Sequence, residues 1–305
     1  MSQHPTLLQQ FRSFCFQNKI TDLEKAVEYF AVFGGMGWYI DISKPLDRLI
    51  EEKVLNNYRY IHAEITTITQ SNQTHHRLLS ALSVGDRREH SAFKRAKLGR
   101  IEGEKSIDFL LEKGMLVLDK PQEKPVDENE EVSDKFLFVQ PFMRFWFSCV
   151  SPYYKGIKSN DYDEFTKQWT HIKQGGFSDY ILERLVLDLV KNSFNDDPIV
   201  SIGSYWDKNV EIDILAKTKS GRMIAGSCKY SKAKAGKSEL SKLKESCKKA
   251  ELNIDTFVIF SKNKFSNELK KEKGEELKLF SMRNIKVLMD DLSRKDILVN
   301  TNKKF

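Results

Sequence analysis

Four polar side chains on two neighbouring segments are the residues of this 305-residue chain best suited to chemistry: Glu211, Asp213, Ser227 and Lys229. Val210, Ile212 and Ile214 alternate with Glu211 and Asp213, the period-two pattern of a half-buried strand. Lys219-Ser220-Gly221 reads as a turn, and Met223–Tyr230 as a second strand. On that second strand Met223, Ala225, Ser227 and Lys229 share one face, while Ile224, Gly226, Cys228 and Tyr230 share the other. A hairpin of this kind brings Asp213 close to Ser227 and Lys229, in a register that the sequence leaves open. An acid and a lysine on the polar face of an otherwise apolar hairpin suit a divalent metal held by carboxylate. The lysine would then orient a water or stabilise an anion.

Glu211-Ile212-Asp213-Ile214, followed by Gly226-Ser227-Cys228-Lys229, resembles the PD-(D/E)XK nuclease superfamily. It is similar in particular to the restriction-endonuclease-like domain at the C-terminus of archaeal-type DEXX-box AAA+ ATPases. That family reads Glu-x-Asp and then Gly-Glu-Cys-Lys, so Ser227 stands where the second catalytic carboxylate is expected. A serine hydroxyl is neutral and a poor metal ligand beside a carboxylate. The resemblance implies Glu183, Asp213 and Lys229 as catalytic residues, with Glu183 supplied by the first helix of the domain. It implies Asp213, Glu183 and Glu211 as the side chains that would hold Mg²⁺, weakly. Glu211, on the face of Asp213, and Glu239, on the following helix, are two acids that would make good the missing one.

The elements that must position these residues read as an αβββαβ series. Gly176–Phe194 is a helix with Phe177, Ile181, Leu185 and Leu189 on one stripe. Ile199–Tyr205 is a strand preceding the hairpin, and Ser238–Ala250 a basic helix after it. Thr256–Phe260 is a buried strand, Phe265–Lys273 a helix and Ile285–Met289 a final strand. This order matches the restriction-endonuclease-like core, so residues 160–305 are expected to form a nuclease-like α/β/α domain with a mixed sheet. Lys232, Lys234, Lys237, Lys242, Lys244, Lys248 and Lys249 are its candidate nucleic-acid-binding residues.

Ahead of it, residues 1–70 read as helices, with Asp22 capping the one that carries Leu23, Ala26, Val27 and Phe30. Val32-Phe33-Gly34-Gly35 resembles the segment after the nucleotide-binding core of the same ATPases, so this region is expected to be lid-like. Residues 71–150 read as a winged helix-turn-helix: helices over His75–Leu82, Glu89–Leu98 and Gly103–Lys113, and wing strands at Met115–Asp119 and Lys135–Gln140. Its third helix region, Gly99–Lys113, carries Arg100, Lys105 and Lys113 against Glu102, Glu104, Asp108 and Glu112, and its wing tip, Pro121–Asp134, is acidic, which suits protein contact better than DNA reading. The aromatic run Phe142, Phe145, Trp146 and Phe147 reads as core or a linker helix. The expected fold class is therefore α+β and multidomain.

Composition narrows the function. The hydrophobic fraction of 40%, charged fraction of 30% and mean hydropathy of −0.50 fit a globular chain, and no apolar run reaches membrane-spanning length. The four cysteines form no CxxC or His-linked spacing, so a reduced, zinc-free, cytoplasmic protein is expected. Ala235-Gly236-Lys237-Ser238 ends like a phosphate loop, but Ser231 stands where its first glycine belongs. ATP hydrolysis by this chain alone is therefore not expected. Charge is uneven: residues 215–305 carry 23 Lys and Arg against 11 Asp and Glu, a net +12, while residues 1–214 carry 27 against 32, a net −5. That asymmetry points the C-terminal third at a polyanion. Three readings stay open: a Mg²⁺-dependent DNA endonuclease, a nuclease fold that binds nucleic acid without cutting, and a non-catalytic adaptor for a separate ATPase or for self-assembly.

Overall fold

The computed structural model describes residues 4–123, 132–231 and 233–298. The chain is α+β and divides into two compact units. The first comprises Met1–Asp119, Ser133–Ser178 and Leu292–Phe305, the second Lys120–Val132 and Asp179–Asp291. No helix among the described residues is long and apolar enough to cross a membrane.

The first unit is mostly helical. Helix α1 (Leu7–Gln17) starts at a capping box, in which Thr6 Oγ1 accepts from the Gln9 amide and the Gln9 side chain accepts from the Thr6 amide. Helix α2 (Leu23–Phe33) starts at Asp22, whose carboxylate accepts from the amides of Glu24 and Lys25. Phe11 and Phe30 seal the two helices edge to face, with centroids 5.1 Å apart. Then follow α3 (Leu46–Ile50), α4 (Tyr58–Ile68), α5 (Gln73–Val84), α6 (Glu89–Ala96) and α7 (Arg100–Glu112). Strands β1 (Leu116–Asp119) and β2 (Lys135–Phe138) form an antiparallel ribbon with Leu116 opposite Phe138. Residues 124–131 of the expected acidic wing tip lie outside the described residues. Helix α8 (Pro141–Phe145) runs into a π-helical turn, Trp146–Val150, and the unit continues through α9 (Tyr154–Lys158) and α10 (Asp163–Gln174). Phe142, Phe145, Trp146 and Phe147 are fully buried, and Trp146 stacks on Tyr58 at 5.5 Å and 11°. The aromatic run is thus core.

The second unit is a mixed five-stranded sheet with helices. In chain order it holds α11 (Asp179–Lys191), β3 (Ile199–Trp206), β4 (Glu211–Thr218), β5 (Met223–Lys229), α12 (Lys237–Lys249), β6 (Thr256–Ser261), α13 (Asn267–Lys271) and β7 (Leu277–Ser281). The strands lie side by side in that order, β3 to β5 antiparallel and β5 to β7 parallel. Gly221 takes a φ of +93° in the β4–β5 turn, where a side chain would be strained. Gly226 has the opposite constraint: a Cβ there would lie 2.8 Å from Ile214 Cδ1 and 3.1 Å from Val258 Cβ, so the central strands close only over glycine. On one sheet face Leu215, Ala225 and Ile259 pack with Leu240, Leu243 and Cys247 of α12. Gln122 joins this unit by donating its amide to the Ser204 carbonyl of β3 at 3.0 Å.

One element differs from expectation. The final strand is Leu277–Ser281, and the segment expected as that strand, Ile285–Met289, belongs to a 3₁₀ helix, Met282–Met289. Met282, Ile285 and Leu288 are buried at a spacing of three, the period of that helix, and a Ser281–Asn284 capping box starts it. A β-prone composition competes there with a three-residue apolar repeat, and the repeat prevails.

Candidate functional site

The β4–β5 register resolves the hairpin. Ile214 pairs with Gly226 and Leu215 with Ala225, and Asp213 and Ser227 are the residues just beyond the last of these pairs. Asp213 Oδ2 accepts from the Cys228 amide at 2.7 Å and from Ser227 Oγ at 3.4 Å. The Ser204 hydroxyl, on β3, donates to the Asp213 carbonyl at 3.0 Å. Burial lifts the Asp213 carboxyl to about 6; the charges of Glu183 and Glu211 push it further up, and the hydrogen bonds from Cys228 and Ser227 pull it down. Three predicted residues are therefore brought together electrostatically: Glu183 from α11, and Glu211 and Asp213 from β4. Burial also raises the Cys228 thiol and the Tyr230 hydroxyl, and the charges of Asp213 and Glu183 add to both shifts.

Lys229 belongs to a different pair. Its Nζ lies 2.6 Å from Glu239 Oε1, in the first turn of α12, and the two side chains are only 23% and 20% exposed. The hydrogen bonds and charges acting on Asp213 come from Cys228, Ser227, Glu183 and Glu211. The expected Asp213–Ser227–Lys229 neighbourhood thus separates into an acidic half around Asp213 and an ion pair made by the lysine. Glu239 enters the site as the partner of Lys229. A glutamate in the first turn after Gly236, ten residues beyond the lysine, is the sequence signal for that pairing. A further pair, Lys262 to Asp179 at 3.4 Å, was not apparent from sequence; its signal is a lysine directly following a parallel strand and an acid at a helix start.

The lysine surface follows from α12. Leu240, Leu243 and Cys247 turn inward, which leaves Lys242, Lys244, Lys248 and Lys249 exposed. Lys242 and Lys249, seven apart, lie on one flank; Lys244 and Lys248, four apart, lie on the other. Glu239 shares the Lys242–Lys249 flank by its i, i+3 and i+10 spacing. Lys244 Nζ sits 5.2 Å from the Phe257 ring centroid, Lys249 pairs with Glu245 at 2.8 Å, and Lys237 pairs with Glu272. Lys234 is exposed in the preceding loop, and Lys232 lies outside the described residues.

The side chains present do not fit a Mg²⁺ site. Among the described residues no group of three or more His, Cys, Asp or Glu is placed to hold a metal ion. Asp213 Oδ2 is already committed to two donors, and the position opposite it offers the Ser227 hydroxyl. Burial first, and then the charges of Glu183 and Glu211, make the ionised Asp213 carboxylate costly to the fold. A carboxyl whose folded pKa is raised binds its proton more tightly when folded. Wild-type stability therefore falls as pH rises from the unfolded value, 3.8, through about 6, and stays low above it. Asp213→Asn keeps an acceptor for the Cys228 amide and removes the charge. At about 1.4 kcal/mol per pKa unit, less an allowance for the partial exposure of Asp213, it should stabilise the protein by about 1–3 kcal/mol above pH 6. Urea unfolding in EDTA at pH 7.5 and at pH 4 checks this: the advantage should be present at the first and vanish at the second.

No curated protein and no solved structure matches the chain. Residues 146–245, about a third of the chain and the part that holds Glu183, Asp213, Ser227, Lys229 and Glu239, match the family DUF234, described as archaea bacterial proteins of unknown function.

Proposed function

We propose that the second unit is a PD-(D/E)XK restriction-endonuclease-like domain that binds nucleic acid, DNA in the first place, without cutting it. In this reading the first unit supplies a lid-like helical region and a winged helix whose α7 carries too many acids to read DNA. The observation that carries the binding is the exposed lysines of α12: Lys242 and Lys249 on the flank of Glu239, the partner of Lys229, and Lys244 and Lys248 on the other flank. A lysine row of this kind neutralises successive phosphates and gains affinity by counterion release. Support for the nuclease ancestry is the helix, three antiparallel strands, crossover helix and parallel strand in the order the superfamily uses, with Asp213 and Ser227 facing each other on the central hairpin. What supports binding without cleavage is Ser227, a neutral hydroxyl where the superfamily has a second carboxylate, and the lack, among the described residues, of three acids placed to hold a metal ion.

Supercoiled plasmid incubated with the full chain in Mg²⁺ or Mn²⁺ tests both halves. The expected outcome is a gel shift with no nicked or linear product. Nicking that disappears in Asp213→Ala and Lys229→Ala would restore the endonuclease reading. Neither shift nor nicking would favour the adaptor, a subunit that docks on a separate ATPase or on its own copies.

A further inference from the structure

We propose that Glu239 is a built-in competitor for the phosphate that Lys229 would otherwise hold, so that the basic face of α12 is partly self-neutralised until nucleic acid displaces the glutamate. The inference rests on the nucleic-acid reading above and adds a regulatory residue to it. Four lysines near the C-terminal ends of β5 and β6 or on α12 carry an acid of their own: Lys229 with Glu239, Lys262 with Asp179, Lys237 with Glu272 and Lys249 with Glu245. The last two pairs are about half exposed, where water and salt leave little of the attraction. Lys229–Glu239 is the shortest of the two shielded pairs, at 2.6 Å, with its side chains 23% and 20% exposed. There the ammonium stays matched to a carboxylate at ordinary salt.

The position of Glu239 also favours an anion. It is the third residue of α12, whose start at Gly236 has no capping side chain, so the carboxylate lies in the turn where unpaired amides and the helix dipole attract negative charge. Next to Lys229 in the β5–β6 register stands Ser261, fully buried, with a hydroxyl that has no hydrogen-bond partner among the described residues. Lys229 and Ser261 share a sheet face at the carboxyl ends of the parallel strands, the edge at which open α/β sheets receive ligands. On the same flank of α12 as Glu239 come Lys242 and Lys249, so a backbone that reaches Lys229 continues along the exposed lysines.

Displacement has a signature in salt dependence. While Glu239 competes for Lys229, the lysine adds little to the phosphates neutralised and few cations leave the DNA through it. Removing the glutamate charge frees Lys229 for one further phosphate contact. For Glu239→Gln, the slope of log affinity against log salt should therefore become steeper by about 0.9, the value for one phosphate contact on duplex DNA. Affinity for a fluorescent 20-base-pair duplex at about 0.1 M salt should rise about 8-fold, the gain one such contact gives at that salt. The test is anisotropy titration of the full chain across a salt series for wild type, Glu239→Gln, Glu239→Ala, Lys229→Met and the Lys229→Met/Glu239→Gln double variant. Both Glu239 variants should gain affinity, and the gain should vanish in the double variant. Wild-type binding with unchanged affinity and slope in both Glu239 variants would overturn the competitor role and leave the binding reading standing. A gain that persists without Lys229 would overturn it too, because it would then be general electrostatics. Absence of wild-type binding at low salt would instead remove the nucleic-acid reading itself.

Discussion

Replacing Lys242 and Lys249 together by glutamine should weaken duplex DNA binding about 60-fold at about 0.1 M salt, whereas the Lys244→Gln/Lys248→Gln pair should cost less than about 10-fold. The difference comes from how the helix presents its charges. Each phosphate neutralised contributes about 0.9 to the slope of log affinity against log salt, so two contacts at about 0.1 M are worth roughly 1.8 log units. Lys242 and Lys249 share the flank of α12 that bears Glu239 and faces Lys229, so one backbone can meet all of them. Lys244 is directed over the Phe257 ring of the neighbouring sheet, which places its flank away from that track. Anisotropy titrations on the two double variants check the asymmetry. Equal losses would mean that the helix acts as a diffuse positive cylinder, with no oriented backbone track.

Trp146→Ala should destabilise the first unit by about 3–5 kcal/mol, the range for truncating a large buried aromatic. Trp146 is fully buried, lies flat on Tyr58 with centroids 5.5 Å apart, and touches Phe142 at 6.2 Å. Three elements therefore meet at one ring: α4 through Tyr58, α8 through Phe142, and the π-helical turn that starts at Trp146 itself. Phe142 packs in turn on Trp38 and Phe145, so the cavity left by alanine is bounded by rings that are themselves held in place and close poorly. Thermal or urea unfolding followed by near-ultraviolet circular dichroism reads the loss. A change below about 1 kcal/mol would show that the aromatic run is not the organising core of this unit.

Periodicity made much of this molecule legible. Val210–Ile214 alternates at period two because one face of β4 is buried, and α11 shows its Ile181, Leu185 and Leu189 stripe for the equivalent reason at 3.6. Asp22 announced α2 because a carboxylate before an apolar repeat satisfies amides that nothing else reaches. The misplaced last strand shows where that logic fails. Ile285–Met289 has strand-like composition, and the three-residue repeat that makes it a 3₁₀ helix is visible only once Met282 is counted with it. Leu277–Ser281 is the actual strand, completed by parallel pairing with β6 that no local pattern reveals.

The site divides along the same line. That Glu211 and Asp213 lie on one strand face was readable from the period-two alternation, whereas Glu183, whose charge also acts on Asp213, was named only through the family resemblance. That Lys229 turns to Glu239 was not readable, because the choice between two nearby acids depends on where α12 starts and how its first turn lies against β5. A strand residue and a helix residue ten positions apart meet only through the packing of Leu240 and Leu243 onto the sheet.

The most direct measurement is the salt dependence of duplex DNA binding by the full chain, from about 0.05 to 0.3 M monovalent salt. The account predicts a straight line in log affinity against log salt with a slope near −2, from Lys242 and Lys249, with Lys229 contributing little while Glu239 competes. A flat line, or no binding at the lowest salt, would contradict it.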